Sequence, residues 1–279
     1  MTQKRVVAIH DISCLGKCSL TVALPIISAA GIETSVIPTA VLSTHTGGFK
    51  NYTSRDLSED IVPIAKHWKG EGITADAIYT GYLCSKEQIY LTIEAQKLIS
   101  RDDTVIITDP VMGDNGRLYN GFSPDYPDYM LKLCAMADII TPNITEAALM
   151  LGVKYREGPY NEDYINALLE GLFVITHSKI VLTGVCFDDR KIGAAIYDGE
   201  TKAYVFSERL NGMYHGTGDI FASTFVAALM NGRSLKASAQ VAANFTAGCI
   251  KKTMEEKTDP RLGVNFESQI PNLIKYLEL

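Results

Sequence analysis

The residues best suited to chemistry form a glycine turn in front of an apolar helix. Gly216-Thr217-Gly218-Asp219 is followed directly by the apolar run 220–226, which has good helical character. A glycine turn lets successive backbone N–H groups converge on an anion, and the helix dipole adds partial positive charge. A carboxylate at the same place can accept a proton from an attacking hydroxyl. The pattern favours phosphoryl transfer, although a plain helix start with Asp219 stabilised by the dipole explains this motif alone equally well.

Two better-known glycine motifs do not fit the chain. The dinucleotide pattern G-x-G-x-x-G fails after Gly216 because Phe221 stands at the third glycine position, and the motif also comes late in the chain. A nicotinamide-dependent oxidoreductase therefore lacks its fingerprint. The loop 16–19 resembles a Walker A motif, but Asp11 stands at its first glycine and Cys18 stands where Ser or Thr should bind magnesium. Both interpretations are rejected.

Oxygen-bearing side chains follow two predicted strands, where a complex of metal and nucleotide could bind. Asp109-Pro110-Val111-Met112-Gly113-Asp114 ends one strand, and Asn143-Ile144-Thr145-Glu146 follows another. Carboxylates at strand ends of an open α/β sheet point into the ligand crevice, and magnesium with a triphosphate prefers oxygen ligands. Taken alone, Asp109 fits a turn before proline equally well. Asn143 and Glu146 fit a helix capping box better than a site for a magnesium-bound water.

Polar residues near the ends of early strands are candidates for binding a small substrate. Thr44-His45-Thr46-Gly47-Gly48 could cover such a molecule or form a plain surface turn. Asp11 ends the first predicted strand, at the ligand edge of such a sheet, where it could also cap the following segment. Tyr82 could offer its ring face to an aromatic substrate, although core packing is the commoner role for a tyrosine there.

The elements that must position these residues alternate between strand and helix. Predicted strands lie at 6–9, 35–37, 77–79, 104–108, 138–141 and 180–183, and predicted helices at 20–30, 56–68, 126–136 and from 85, 143, 162 and 220 onward. A capping box of Ser85 and Gln88 is expected to start one of these helices. Strands 192–197 and 203–206 meet across Asp198-Gly199 as a hairpin. The alternation predicts an α/β fold with a mostly parallel central sheet, helices on both faces and a single domain over 1–279.

Composition narrows the partners and the compartment. The 279-residue chain has a formal net charge of -6, so it lacks the basic excess that a nucleic acid or an anionic membrane surface would attract. The longest apolar stretch, 20–32, is interrupted by polar residues and proline and is too short to span a bilayer. The six cysteines form no C-x-x-C pair, and the spacing of Cys14 and Cys18 with His10 is not typical of a zinc site. We therefore expect reduced thiols and a cytoplasmic protein.

Taken together, these motifs resemble those of the ribokinase superfamily, and within it the pyridoxal and pyridoxamine kinases. The resemblance extends over essentially the whole chain. The superfamily is marked by the motifs at 216–219, 109–114 and 141–146. The segments Thr80-Gly81-Tyr82, His45-Thr46-Gly47 and Ala8-Ile9-His10-Asp11 point to the vitamin B6 branch rather than to sugar kinases.

The resemblance implies an ATP-dependent kinase that phosphorylates the 5′-hydroxymethyl group of pyridoxal, pyridoxamine or pyridoxine. Asp219 would deprotonate that hydroxyl, and the N–H groups of Gly216, Thr217 and Gly218 would hold the γ-phosphoryl oxygens. Mg²⁺ would be placed by Asp109 and, through water, by Glu146. Thr141 and Asp114 would lie near a cation, for which a monovalent ion such as K⁺ is a candidate. Asn143 would support the phosphates, and Thr183 and Gly184 would lie beside the nucleotide. The pyridine ring would be surrounded by Asp11, Thr46, Gly47 and Tyr82.

Asp11 is the position where this chain departs from that family. Better-known members carry serine against the ring at this place. A carboxylate there could pair with a protonated ring nitrogen or with an amine, which favours pyridoxamine or pyridoxine over pyridoxal as substrate.

Two other functions stay open on the sequence. A hydroxymethylpyrimidine kinase of thiamine synthesis belongs to the same superfamily and shares the catalytic end and a similar substrate. A non-catalytic nucleotide-binding regulator would be expected to lose the catalytic carboxylate or the glycine turn, and this chain retains both. Because relatives are often dimers, the resemblance also implies a homodimer, with no nucleic acid or membrane as a partner.

Overall fold

The computed structural model describes residues 3–212 and 214–279, and these residues build one nine-stranded sheet. Its strands are β1 (Arg5–Ser13), β2 (Glu33–Leu42), β3 (Ser54–Asp56), β4 (Ala77–Thr80), β5 (Val105–Thr108), β8 (Ile139–Ile140), β9 (Lys179–Val185), β10 (Lys191–Tyr197) and β11 (Lys202–Glu208). Two short strands, β6 (Gly113–Asp114) and β7 (Arg117–Leu118), form a separate hairpin that the sequence did not predict.

The centre of the sheet is parallel and its edges are antiparallel. The strand order is β11-β10-β9-β8-β5-β4-β1-β2-β3. All neighbours from β9 to β2 in that order run parallel, whereas β3, β10 and β11 run antiparallel to the strands beside them. The β10–β11 hairpin turns at the expected Asp198-Gly199. The predicted mostly parallel α/β fold is confirmed.

Helices cover both faces of this sheet. They are α1 (Leu20–Ala29), α2 (Ser58–Gly70), α3 (Lys86–Ile99), α4 (Tyr126–Cys134), α5 (Ile144–Leu151), α6 (Glu162–Thr176), α7 (Thr217–Met230), α8 (Leu235–Glu256) and α9 (Ile270–Leu277). Val6 of β1 packs in the cluster that holds α1, α7, α8 and α9, while the next residue, Val7, packs with α2 and α3 on the other face. The strands are apolar on both sides because side chains alternate between two covered faces. Within the described ranges, every helix is too short or too polar to cross a bilayer.

The crevice of the fold opens beside β1. This strand continues through α1 to β2 on one side, while β4 pairs with it on the other side. Chain connections leave in opposite directions at such a point, and ligands of open α/β sheets bind there, beyond the carboxyl ends of the strands. Asp11 lies near the carboxyl end of β1, and Tyr82 follows the end of β4. The fold therefore places both residues beside this crevice.

Two expected helix starts differ in detail. Helix α2 begins at Ser58 because Asp56 belongs to β3, and the Asp56 carboxylate accepts the Ser58 backbone N–H at 2.7 Å. At the start of α3, Ser85 accepts the backbone N–H of Gln88 at 3.2 Å, as expected. The predicted capping box is nevertheless wrong in its second bond, because the Gln88 side-chain oxygen accepts the backbone N–H of Cys84 at 2.9 Å rather than that of the N-cap Ser85. The Gln88 amide donates to the carbonyl of Thr39 in β2 at 2.8 Å, so a tertiary hydrogen bond orients the side chain.

Gly81→Ala is expected to lower the free energy of unfolding by about 1–3 kcal/mol through overpacking. An added Cβ would overlap the imidazole of His10, which is fully buried and lies 4.4 Å, ring centroid to centroid, from Tyr79. Gly70→Ala at the end of α2 is the matched control, since a Cβ there meets only open space and should be neutral or slightly stabilising. Urea unfolding midpoints measure both effects. Equal stability of the two variants would contradict the prediction.

Candidate active site

The glycine turn forms an anion-binding end on α7. Gly216 caps the helix with a φ of 79°, in the left-handed region that favours glycine. A Cβ on Gly216 would also overlap the carbonyl oxygen of Lys17. No side chain caps this helix, and the N–H groups of the first helical turn, at 217–219, have no carbonyl partner within an α-helix. Free donors and the positive end of the dipole therefore face the same space.

Asp219 lies in the first turn of α7, next to these donors. The residue keeps some exposure, but protein atoms surround its carboxyl closely. Burial raises the pKa of Asp219 to about 7; the Ser19 backbone N–H offsets part of the rise, and the negative charge of Asp11 adds to it. A carboxylate with a pKa near 7 is a stronger base than an ordinary aspartate and is still substantially ionised at neutral pH.

Asp219 shares its surroundings with two further carboxyl groups. Asp109, at the end of β5, is 7% exposed, and Glu146, in the first turn of α5, is 3% exposed. Burial raises the pKa of Asp109 well above its usual range, and the negative charges of Glu146 and Asp219 raise it further. Three chain segments that are distant in sequence thus bring carboxyl groups together. Such a cluster favours a bound cation, because buried like charges are costly without one.

Glu146 has a structural role that the sequence already suggested. Its side chain accepts the backbone N–H of Asn143 at 2.8 Å, while the Asn143 side chain accepts the Glu146 N–H at 2.9 Å. The capping box is therefore confirmed. The second carboxylate oxygen accepts the Met112 N–H at 3.1 Å. Burial raises the pKa of Glu146 to about 8, although these backbone N–H groups favour its charged form. Its role beside a magnesium-bound water stays a prediction.

The remaining metal candidates differ in their surroundings. Thr141 is 3% exposed, and its hydroxyl has no hydrogen-bond partner in the described part of the chain. Asp114 is exposed, and its carboxylate accepts the backbone N–H of Asn115 at 2.8 Å. Among residues 3–212 and 214–279, no three His, Cys, Asp or Glu side chains are grouped closely enough to hold a metal ion. The site fits Mg²⁺, which usually takes one or two protein carboxylates and completes its shell with phosphate and water oxygens.

Asp11 and Tyr82, the residues predicted to bind the substrate ring, lie at neighbouring strand ends beside the crevice. Asp11 is 3% exposed and accepts the Ser13 hydroxyl at 3.3 Å. Tyr82 is half-buried rather than fully packed in the core; burial raises the pKa of its phenol, and the nearby Cys84 and Asp11 add to the rise. Its ring centroid lies 5.7 Å from that of Phe122. Tyr82 therefore belongs to an aromatic group that keeps an exposed part beside Asp11.

The segment 44–48 is held against the glycine turn by His45. The Nδ1 atom of His45 accepts the Gly47 N–H at 3.1 Å, and its Nε2 lies 2.5 Å from the carbonyl oxygen of Arg261, so that Nε2 carries the proton. The His45 ring also lies 5.1 Å from the ring of His215, the residue before Gly216. Thr46 is exposed and Gly47 is half-buried against the His215 ring. The structure thus brings the predicted substrate segment next to the predicted anion site.

The predicted nucleotide residues lie where β8 and β9 end. The backbone N–H of Thr183 donates to the carbonyl of Pro142 at 2.8 Å, which joins the end of β9 to the segment that carries Asn143. The Asn143 amide donates to the Gly113 carbonyl at 2.9 Å. Gly184 has a φ of 78° and is half-buried. These contacts position Asn143, Thr183 and Gly184 along the same carboxyl edge as Asp109.

Two aromatic residues near the site were missed by the sequence analysis. Tyr119 is 40% exposed; partial burial raises the pKa of its phenol, and the charges of Glu146, Asp114, Asp219 and Asp109 add to the rise. Phe122 stacks on Tyr126 with ring centroids 4.0 Å apart. Both residues belong to the segment 116–125, which has no periodic apolar pattern. No motif in the sequence marks them, because their position depends on how that loop folds back.

Comparisons with known proteins agree with this geometry. Residues 24–261 match the phosphomethylpyrimidine kinase family. A Bacteroides thetaiotaomicron protein assigned to the phosphomethylpyrimidine kinases, whose orthorhombic crystals contain pyridoxal, is 35% identical with a TM-score of 0.91 over 98% of this chain and 96% of that one. Pyridoxal kinase from Lactobacillus plantarum is 30% identical with a TM-score of 0.90 over 99% and 98% of the two chains.

A shorter match extends the comparison to another bacterium. The pyridoxine kinase of Bacillus subtilis is 31% identical over 189 residues, which cover 66% of each chain. The family match spans the segments that carry Asp109, Glu146 and Asp219, and the two structural matches extend over nearly the whole chain. The chain therefore belongs to the phosphomethylpyrimidine kinase family and, within the ribokinase-like superfamily, to the pyridoxal kinases.

Proposed function

We propose that this protein transfers the γ-phosphoryl group of ATP to the 5′-hydroxymethyl group of a vitamin B6 compound. One observation carries the proposal: Asp219, with a pKa raised to about 7, stands in the same helical turn as the free N–H donors that follow Gly216. A base beside an anion site is the arrangement that transfer of a phosphoryl group to an alcohol requires. Relatives named pyridoxal or pyridoxine kinase, and a relative crystallised with pyridoxal, support the substrate class.

In this proposal Asp219 removes the proton of the attacking hydroxyl, and the turn 216–218 holds the oxygens of the transferred group. The transition state is loose and spreads charge over those oxygens, so fixed N–H donors stabilise it without reorganising. Mg²⁺, when bound with the nucleotide, neutralises the charge of the phosphates. The proposed partners of Mg²⁺ are Asp109, Glu146 through water, Thr141 and Asp114. The residues proposed to lie near the nucleotide are Asn143, Thr183 and Gly184.

The substrate ring is proposed to lie between the segment 44–48 and Tyr82. Thr46 and Gly47 bound it on one side, where His45 fixes their backbone. Tyr82 offers the partly exposed part of its ring on the other side, supported by Phe122. A monovalent cation such as K⁺ near Thr141 and a homodimeric assembly are further proposals, based on the likeness to the family. Sedimentation that showed only monomer at working concentration would remove the dimer.

The competing substrate is a hydroxymethylpyrimidine, which the family name supports. With ATP and Mg²⁺, we expect kcat/KM for the best of pyridoxal, pyridoxamine and pyridoxine to exceed that for hydroxymethylpyrimidine by at least about tenfold, which corresponds to roughly 1.4 kcal/mol of transition-state stabilisation. Coupled detection of ADP release measures all four substrates under one condition. Faster phosphorylation of the pyrimidine would reverse the assignment, and no turnover of any of them would refute kinase activity.

The rate should follow the ionisation of Asp219. Because the base must be deprotonated, log(kcat/KM) should rise with pH and level off above about pH 7. Asp219→Asn should lower kcat about 10²–10⁴-fold, with little change in nucleotide affinity, and should abolish the rise. The pH profile of kcat/KM, measured with two vitamers that ionise differently, separates ionisation of the enzyme from ionisation of the substrate. A flat wild-type profile, or near-normal turnover of the variant, would show that Asp219 is not the base.

Glu146→Gln separates the structural role of this side chain from its proposed metal role. Glutamine can complete the capping box with Asn143, but its amide nitrogen cannot accept the buried Met112 N–H, so the variant should stay folded and lose about 1–3 kcal/mol of stability. Loss of the charge beside a metal-bound water should raise the Mg²⁺ concentration for half-maximal rate about 10–100-fold. Magnesium titrations at saturating substrate measure this shift. An unchanged magnesium dependence in a folded variant would leave Glu146 with the capping role alone.

A further inference from the structure

Asp11 has one buried carboxylate oxygen that makes no hydrogen bond of good geometry to the described residues. The residue is 3% exposed, and its Oδ2 accepts the Ser13 hydroxyl at 3.3 Å. Its Oδ1 is buried and has no hydrogen-bond partner within residues 3–212 and 214–279. A buried carboxylate oxygen without a donor is costly, and such groups in folded proteins have a partner or await one. Oδ1 is therefore a free acceptor built into the interior of the site.

This acceptor lies next to both the proposed base and the aromatic residue of the ring site. Asp11 is close enough to raise the pKa of Asp219 and the pKa of Tyr82 by its negative charge. The Cys18 thiol is close to Asp11 and Asp219 together, since both raise its pKa beyond the effect of burial. Among the described residues, no basic side chain influences Asp11; the Ser19 and Ser13 hydroxyls and its own backbone N–H are the polar groups that oppose the effect of burial on its pKa. Of these, only Ser13 makes a hydrogen bond of good geometry, and it reaches Oδ2, so Oδ1 is available to a donor on the substrate.

Substrate chemistry selects the group that can reach this oxygen. When the hydroxymethyl group stands at Asp219, the substituent on the adjacent ring carbon is the nearest other polar group, whereas the ring nitrogen and the ring hydroxyl are each one position farther round the ring. In pyridoxamine that substituent is an aminomethyl group, which is protonated and donates; in pyridoxine it is a hydroxymethyl group. In pyridoxal it is an aldehyde, which only accepts. Hydroxymethylpyrimidine carries an amino donor at the equivalent carbon.

We propose that Asp11 determines specificity by accepting a hydrogen bond from an N–H group on the ring carbon next to the phosphorylated hydroxymethyl group. This inference rests on the proposed function and narrows its substrate class. Pyridoxamine satisfies Oδ1 with a charge-assisted bond, while the aldehyde of pyridoxal places an acceptor against an acceptor. The ammonium group also offsets the negative charge that Asp11 exerts on Asp219.

The wild-type enzyme gives the first test, without any substitution. With ATP and Mg²⁺, kcat/KM should follow the order pyridoxamine, then pyridoxine, then pyridoxal, with about a tenfold or larger difference between the first and last. A preference for pyridoxal over pyridoxamine overturns the inference while leaving the proposed function intact. Absence of turnover for every B6 compound instead refutes the proposed function.

Asp11→Asn gives the second test, because it keeps the shape and the acceptor for Ser13 but removes the charge. The ratio of kcat/KM for pyridoxamine to that for pyridoxal should fall about 10–100-fold, the range for loss of one buried charged hydrogen bond. The asparagine amide can donate to the aldehyde, so pyridoxal turnover should be retained or improved. A merely structural role would lower both rates and leave their ratio unchanged.

Asp103→Asn is the matched control, with the same loss of charge on a 75% exposed side chain just before β5, at the end of the strand opposite Asp109. In Asp103→Asn, the ratio of kcat/KM for pyridoxamine to that for pyridoxal should equal the wild-type ratio. A pyridoxamine-to-pyridoxal ratio in Asp11→Asn within about threefold of wild type overturns the inference, as does an equal loss for both substrates. If Asp11→Asn does not fold, as judged by its thermal midpoint, the wild-type order of the three vitamers decides.

Discussion

The site depends on buried carboxyl groups that lie close together beside the first turn of α7, which no side chain among the described residues caps. Asp11, Asp109 and Glu146 are almost fully buried, Asp219 lies close to Asp11 and Asp109, and burial raises the pKa of each. Asp219 and Glu146 bind protons at a pH where the unfolded chain would release them, so the stability that their protonated forms contribute is lost as pH rises from the ordinary carboxyl range through about 7 to 8. A cation and an anion arriving together, as a metal nucleotide does, would satisfy both the carboxyls and the free N–H groups.

Close backbone contacts keep this arrangement in place. Gly216 approaches the Lys17 carbonyl so closely that a Cβ would overlap it, and this contact joins the loop before α1 to the start of α7. His45 adds a second connection by binding Gly47 and the Arg261 carbonyl while lying beside His215. Loops that are distant in sequence are thereby attached to one another near the sheet edge that carries Asp109. Catalytic geometry on loops becomes precise when a rigid scaffold holds them in this way.

The glycine turn 216–218 together with Asp219 could act on either kind of substrate that the names of the relatives indicate. Hydroxymethylpyridines and hydroxymethylpyrimidines present the same alcohol to a base and the same phosphate to a glycine turn. Discrimination between them must come from groups that contact the rest of the ring, for which Tyr82 and Thr46 are the proposed residues. The buried oxygen of Asp11 would instead separate substrates with a donor beside the alcohol, pyridoxamine and the pyrimidine alike, from pyridoxal, which leaves that acceptor unpaired.

The sequence alone determined the alternating α/β order, the glycine turn and the capping box of Asn143 and Glu146, because each depends on residues that are neighbours in the chain. It could not determine that the Gln88 oxygen would accept the N–H of Cys84 rather than that of Ser85, since the amide of the same side chain is held by Thr39, a partner 49 residues away. Nor could it find Tyr119 and Phe122, whose loop carries no periodic pattern. Strand ends predicted that Asp11 and Asp109 share one edge of the sheet, but that Asp219 meets them there was expected only through resemblance to a family. Tertiary structure alone decided their common environment, because charge and burial act through space and not along the chain.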